Sequence, residues 1–397
     1  MASFTKLQIH ARALLLPPLV ILLSSCLIVL DKRKLDIPPE DGWQDAADTE
    51  GHGDTDALDE SRDDPGLDPP RDDDMPDLTD EVDDTEPDSV APGACYRRIL
   101  MTLSGTENLV DYQVPIFIPR SPRMRSDYGD LRFVPEEGGP FLSYFLEPAS
   151  DGGGVTAWMK VPSIPAGADT VVFVYYGNPA LTGIGDPWAV FDFYDPFEDG
   201  ELSGWIELPA DGGWGLSSSR ARSGTSSMEV GDVDHEPGSS DYLIADVPAA
   251  TDLAVDSWWN VTAVPVDIAI ILRCLASMPM SNVQANYDTE DEWHLARNTG
   301  GVWDPLATAD RALPIDTWFK VTVAMVDNSM RLLVDDVQVL PSGDGWFDMG
   351  TGTPDGRFGF DAYMIPSGTA WWVDDVRMRK AANPEPVARL GDEVCDG

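Results

Sequence analysis

Beyond Cys95, apolar residues recur at every second position, in short runs cut by clusters of Gly, Pro, Asp and Asn. In VTAWMKV, residues 155–161, Val155, Ala157, Met159 and Val161 share one side while Thr156, Trp158 and Lys160 share the other. That two-residue period belongs to a half-buried strand. DTVVFVYYGNP, residues 169–179, is apolar and β-branched and stops at Gly177, Asn178 and Pro179, a strong turn signal. Many short strands at such spacing point to β-sandwiches. No repeat of fixed period suggests a propeller or solenoid. The chain past Cys95 is long enough for two domains, each burying its own core. The expected fold class is all-β, with two β-sandwich domains.

The stretch before Cys95 reads differently. Lys6, His10 and Arg12 precede an apolar run from Ala13 to Leu30 that Pro17 and Pro18 interrupt, the grammar of a signal peptide. Two prolines and the polar trio Ser24, Ser25 and Cys26 do not suit a spanning helix, which wants about 20 unbroken apolar residues. Lys32, Arg33 and Lys34 would also hold the following segment in the cytoplasm. LSSC, residues 23–26, resembles the bacterial lipobox. The resemblance implies cleavage after a signal peptide at 1–25, a diacylglycerol on the Cys26 thiol, and membrane attachment through that lipid. With Leu27 rather than aspartate next, it implies outer-membrane anchoring, facing the periplasm or the cell surface.

Net charge is −44, and much of the acidity falls between Asp36 and Asp88. Low hydrophobicity, one sign of charge and frequent Pro cannot supply the burial that offsets chain entropy. Residues 26–93 are therefore expected to be the lipidated Cys and a disordered acidic linker. Binding to nucleic-acid phosphates rests on Lys and Arg, so nucleic acid is excluded as a partner. With Cys26 given to lipid, Cys95, Cys274 and Cys395 remain in a compartment that permits disulfides. Cys274, inside VDIAIILRCLA, suits a small buried hydrophobe. Cys95 and Cys395 bracket the folded part and are expected to pair.

Asp130, Arg132, Phe133, the stretch Leu142 to Glu147, Trp158 with Lys160, Val161 and Pro162, Ile164 with Pro165, and Tyr176 to Pro179 lie within residues 130–179. Together they resemble the bacterial family known as domain of unknown function 2341. The resemblance places a β-sandwich at 94–189 and brings no established catalytic residues. Three later stretches resemble the concanavalin A-like jelly roll, which includes laminin G-like modules: VFDFYDPFEDGELSGW, DTWFKVTVAMVDNSMRLLVDDVQVL and GRFGFDAYMIPSGTAWWVDDVRMRK. That resemblance implies a jelly roll at 190–397 with a short C-terminal tail, its last strand lying beside its first.

Catalytic chemistry is hard to find. Glycosidases of this fold alternate carboxylates along one strand, and the nearest window is YDTEDEWH, where Asp288, Glu290 and Glu292 alternate. A solvated acidic strand or loop explains that window equally well. Only four His exist, and His235 and His294 have no metal-ligand spacing. No G-x-S-x-G is present, and SDGGGVT lacks the Lys-Ser/Thr of a phosphate loop. The expectation is a protein that is not an enzyme.

The 13 Trp are the better clue, because sugar rings stack on exposed indoles. The ligand-binding candidates are Trp293, Trp303, Trp258 and Trp259; the WW pairs at 258–259 and 371–372 must put one ring on each face of a strand. A structural calcium ion is expected where the first and last strands of the jelly roll meet, held by Glu198 and Asp375 with Asp374 next. The other reading of those acids is exposed turn residues, or pairing with Arg377 or Arg379. The leading reading is a cell-envelope lipoprotein displaying a non-catalytic module for glycan or another envelope polymer. The alternatives are a polysaccharide-cleaving enzyme of the jelly-roll type and a structural envelope protein without ligand.

Overall fold

The alternating segments form strands throughout the computed structural model, which describes residues 95–136, 139–148, 152–210, 212–233, 240–350 and 356–395. The expected signal peptide, Cys26 and the acidic linker lie outside the described residues. One short helix, Pro187–Val190, follows Asp186, whose side chain accepts the amides of Trp188 and Ala189 while Pro occupies the first turn.

In the first sandwich a four-stranded sheet, ordered Val387–Cys395, Cys95–Thr102, Asp169–Tyr176 and Arg132–Pro135, accompanies a three-stranded sheet of Leu109–Pro119, Gly154–Ile164 and Tyr144–Pro148. Val155, Ala157, Met159 and Val161 are all buried with Ile99, Met101, Ile118 and Val174 in one core. Apart from Ala157, each of these side chains contributes about 1.5–3 kcal/mol on burial. Trp158, on the opposite side of its strand, is also buried, among Val190 and Phe191.

The boundary expected at 190–397 needs correction at its C-terminal end. Residues 387–395 do not trail from the second sandwich. They pair antiparallel with Cys95–Thr102 along its length, from Cys95 opposite Cys395 to Thr102 opposite Val387. Ala388 and Leu390 pack against the first core, which accounts for the strand's return. A disulfide joins Cys95 to Cys395, and Cys274 is a buried free thiol.

The second sandwich is organised by one strand, Arg357–Lys380, that serves two sheets. Its first part pairs with Asp241–Ala245 and Asp267–Cys274, and that sheet continues through Asn282–Tyr287, Trp293–Thr299 and Val302–Ala309. Its second part pairs with Ser227–Val233 and Leu253–Val261, followed by Phe319–Val326, Ser329–Val334 and Val337–Leu340. Gly368, at φ 82°, sits between the two parts, in a region where a side chain would be strained. Phe193–Asp195 pairs with residues 376–378 of the long strand, so the first and last strands of this sandwich are neighbours. Trp259, Trp293, Trp371, Phe319, Phe358 and Phe360 fill the core.

The two sandwiches share polar contacts. The buried Gln113 side chain donates to the Val190 carbonyl at 3.0 Å and accepts the Lys380 amide at 3.1 Å.

Candidate binding site

Strand alternation builds a polar row on the outer side of the sheet that contains Asp267–Cys274. Ile268, Ile270 and Leu272 point into the core; Asp267 and Ala269 therefore face outward. Cross-strand register then aligns Tyr242, Asp361, Ala269, Asn286, His294 and Thr308 across successive strands. One row over, Gln284 stands opposite Ile271 and Ala296. A third row sets Asn282 beside Asn298 and Asn298 beside Trp303. Ala269 is short, which leaves room between Asp361 and Asn286. A cavity of about 240 Å3 opens here, with Asp267, Gln284 and Asp361 among its polar lining and Tyr242, Tyr363 and Trp303 among its aromatic lining.

The electrostatics of this cavity are unusual for a surface this acidic. Burial, then the neighbouring carboxylates of Asp267 and Asp241, push the Asp361 carboxyl up to about 8, although hydrogen bonding from Ser240 opposes the shift. Asp267 is pushed up to about 7 by burial and by Asp288, with the Asn286 side chain opposing. The Oδ1 atoms of Asp361, Asn282 and Asn286 and the Oε1 atom of Gln284 are buried without a hydrogen-bond partner. Unmet buried acceptors are costly.

One wall is firmly held. His294 is buried, with Nε2 2.8 Å from Asp288 Oδ2 and Nδ1 3.0 Å from Thr308 Oγ1. The Trp303 ring meets the His294 ring edge to face at 5.3 Å. Asp288, Glu290 and Glu292 do not alternate along a strand. They occupy the turn between Asn282–Tyr287 and Trp293–Thr299, where Asp288 Oδ1 accepts the amides of Glu290 and Glu292 and Asp291 has φ 65°. Asp288 and Glu290 still reach the cavity.

Of the four tryptophans expected to hold ligand, Trp303 is 41% exposed and lines the cavity. Trp293 and Trp259 are wholly buried and stack on each other at 6.0 Å in the core; that expectation is corrected, because both point to the inner side of their strands. Trp258 lies on the other sheet, half-buried with the Arg222 guanidinium 3.8 Å from its ring centroid. At the second WW pair both rings are buried, since Arg220 covers the outward-facing Trp372 at 4.7 Å.

The acids expected to hold calcium do not come together as ligands. Glu198 accepts the amides of Thr225 and Ser226 and the Thr225 hydroxyl. Asp374 Oδ2 accepts the amides of Arg222 and Ser223, while Asp375 pairs with Arg222 at 2.6 Å and accepts the Ser223 hydroxyl. The counter-charge is Arg222, from the loop at 218–226, rather than Arg377 or Arg379. Among the described residues, the one trio of His, Cys, Asp or Glu ligand atoms within 4.8 Å is Cys95, Glu393 and Cys395, and two of those are in the disulfide.

Asp267, Asp361, Tyr242, Tyr363, Gln284, Asn286 and His294 were not singled out by the sequence as binding residues. NVQANY, 282–287, carried a signal: Asn282, Gln284 and Asn286 alternate with Val283, Ala285 and Tyr287, and such alternation marks a strand with one face turned away from the apolar core.

Fold and cavity together define a class, an all-β protein of two sandwiches with a polar, aromatic-lined hollow on the second. Residues 127–209 match the family model described as "Domain of unknown function (DUF2341)". A carbohydrate-binding module, CBM66 from Bacillus subtilis, is similar to this chain at 13% identity and TM-score 0.34, over 45% of this chain and 96% of that one. "Cellulose induced protein, Cip1" is similar at 16% identity and TM-score 0.36, over 47% and 96%. A Bacillus subtilis protein described as of unknown function with a galectin-like fold is similar at 13% and TM-score 0.37, over 47% and 94%. No curated protein matches the chain.

Proposed function

We propose that the second sandwich, a concanavalin A-like jelly roll, is a non-catalytic module that binds a saccharide in this cavity, and that an N-terminal lipid on Cys26 presents it from the cell envelope. The observation that carries the reading is the pairing of an aromatic rim, Tyr242, Tyr363 and Trp303, with a floor of buried hydrogen-bonding side chains that includes unmet acceptors. Rings stack on sugar faces, and sugar hydroxyls donate to such oxygens. Pockets that are part aromatic with a few convergent polar groups are the usual form of small-ligand sites.

Cleavage is the rival reading, favoured by the carboxyls of Asp267, Asp288, Glu290 and Asp361 in one cavity. Glycoside hydrolysis wants one carboxyl ionised and one protonated across the scissile bond. Here burial raises Asp361 and Asp267 alike, and Asp288 is taken up by His294 and the turn amides, which suits binding better. A glycan array probed with the full chain tests the proposal. Loss of signal in Tyr363→Ala is the expected result, an array without any hit overturns it, and shortened products from a bound glycan would favour the rival.

A further inference from the structure

The floor of the cavity is lopsided in a way that neutral sugars do not explain. Its lining includes Asp267, Asp288, Glu290 and Asp361 and no Lys or Arg among the described residues. Other buried or part-buried acids of this fold are held either by backbone amides, as Asp130 and Asp374 are, or by a guanidinium. Asp256 has Arg377 and Arg379, Glu385 has Arg379 and Arg331, and Asp375 has Arg222. Asp288 has His294 beside it, but no Lys or Arg of the lining offsets Asp361 or Asp267, and the unmet atoms there are acceptors: Asp361 Oδ1 and Gln284 Oε1, on residues 5% and 4% exposed.

We propose that this floor takes a primary ammonium group, so that the saccharide bound in the cavity is an amino sugar with a free amine. The inference rests on the saccharide reading of the same cavity. An ammonium brings three donors and a positive charge, whereas a sugar hydroxyl brings one donor and no charge to set against the carboxyls. Around Ala269 the register sets Asp361 across one strand boundary, Asp267 two residues back on the same side, and Gln284 diagonally across the other boundary. Three acceptor side chains thus surround one short residue. The ammonium favours the ionised form of Asp361, which burial otherwise keeps protonated, and the charge-assisted hydrogen bonds that result are about twice as strong as neutral ones. Tyr242, Tyr363 and Trp303 add ring faces, which attract a cation and stack on the sugar it belongs to.

A calcium ion is the other cation to weigh. It asks for six to eight oxygens, commonly several carboxylates, and no three acidic ligand atoms of the described residues converge within 4.8 Å at this place. Three acceptors and an aromatic rim suit an ammonium better.

The test is calorimetric titration of the full chain with the β-1,4-linked glucosamine dimer, its di-N-acetylated form and cellobiose, at physiological salt. The free-amine dimer should bind about tenfold tighter than the other two, and the preference should vanish in Asp361→Asn. Because the whole chain is acidic, a preference that survives unchanged in Asp361→Asn is bulk attraction and overturns the inference. Gln284→Met provides the same comparison should Asp361→Asn not fold. Cellobiose or the acetylated dimer binding as tightly as the amine also overturns it, while leaving the saccharide reading in place. No binding of any of the three, on an array equally blank, sinks both. A calcium-dependent rise in melting temperature that Asp361→Asn removes would assign the floor to a metal and end the amine proposal.

Discussion

Arg377, on the long strand of the second sandwich, pairs with Glu147 of the first at 2.9 Å while its Nε lies 3.1 Å from Asp256 of its own sandwich. Both partners and the Arg are buried or nearly so, and the Trp158 ring lies 4.6 Å from the guanidinium. One cation therefore serves an acid in each sandwich.

Removing Asp256 should be costly. Its carboxylate accepts the Thr322 hydroxyl at 2.6 Å as well as Arg377 and Arg379, so Asp256→Ala leaves two buried Arg with one acid each, Glu147 and Glu385. A loss of about 3–5 kcal/mol is expected from urea unfolding. An unchanged midpoint would show that water replaces the carboxylate at no cost.

Two groups of acids should give stability opposite slopes with pH. Burial disfavours ionised Asp256, yet Lys320, Arg377 and Arg379 hold its carboxyl below the usual range; Glu147 and Glu385 are likewise lowered by Arg neighbours against burial. Their contribution is present above about pH 4, the unfolded value, and lost as pH falls through the folded one. Asp361, pushed up to about 8 mainly by burial, stays protonated in the fold where the unfolded chain has released its proton. Stability should therefore fall as pH rises from about 4 to 8, with Asp267 and Asp374, each at about 7, adding to the trend. Thermal melts should show Asp361→Asn flattening this decline and gaining most at pH 8. Parallel profiles for the two proteins would remove Asp361 as its source.

Tryptophan substitutions should divide by face. Trp259→Ala and Trp293→Ala open the core and are expected to cost about 3–5 kcal/mol of stability. Trp303→Ala should leave the melting temperature nearly unchanged and weaken saccharide binding about tenfold, in line with the loss of one stacking ring. Equal loss of stability in all three would place Trp303 in the structural set.

The Cys274 thiol is buried and pushed up to about 12, chiefly by burial. It should resist a thiol reagent in the native protein and react on unfolding in urea. Rapid native modification would require local opening of the strand Asp267–Cys274.

The disulfide should matter to both ends of the first sandwich. Replacing Cys95 and Cys395 by Ser is expected to cost about 2–5 kcal/mol and to expose residues 387–395 to protease. Unchanged cleavage would mean that the strand's hydrogen bonds suffice.

How much of this was legible varies with the length scale of the cause. The face of Val155, Ala157, Met159 and Val161 follows from a local period, and the core confirms it. Periodicity names a face but not what covers it: Trp258 points outward from its strand and still lies under Arg222. The strand Val387–Cys395 looked like a tail because its partner is Cys95–Thr102, across the whole second sandwich. In YDTEDEWH the alternating acids fit a strand or a loop alike, and Asp288 settles it by closing a turn. The cavity floor was hardest to see, since Asp267 and Asp361 meet only through the register of the long strand. In a chain carrying 70 acidic residues, two more Asp are no signal by themselves.

The return of Val387–Cys395 sets an order of assembly. A chain made from its N-terminus presents Cys95–Thr102 long before its partner strand exists. Until then that sheet has a bare edge, with amides and carbonyls open to any strand that passes. The first sandwich begins first and is finished last, with the second inserted between six of its strands and the seventh.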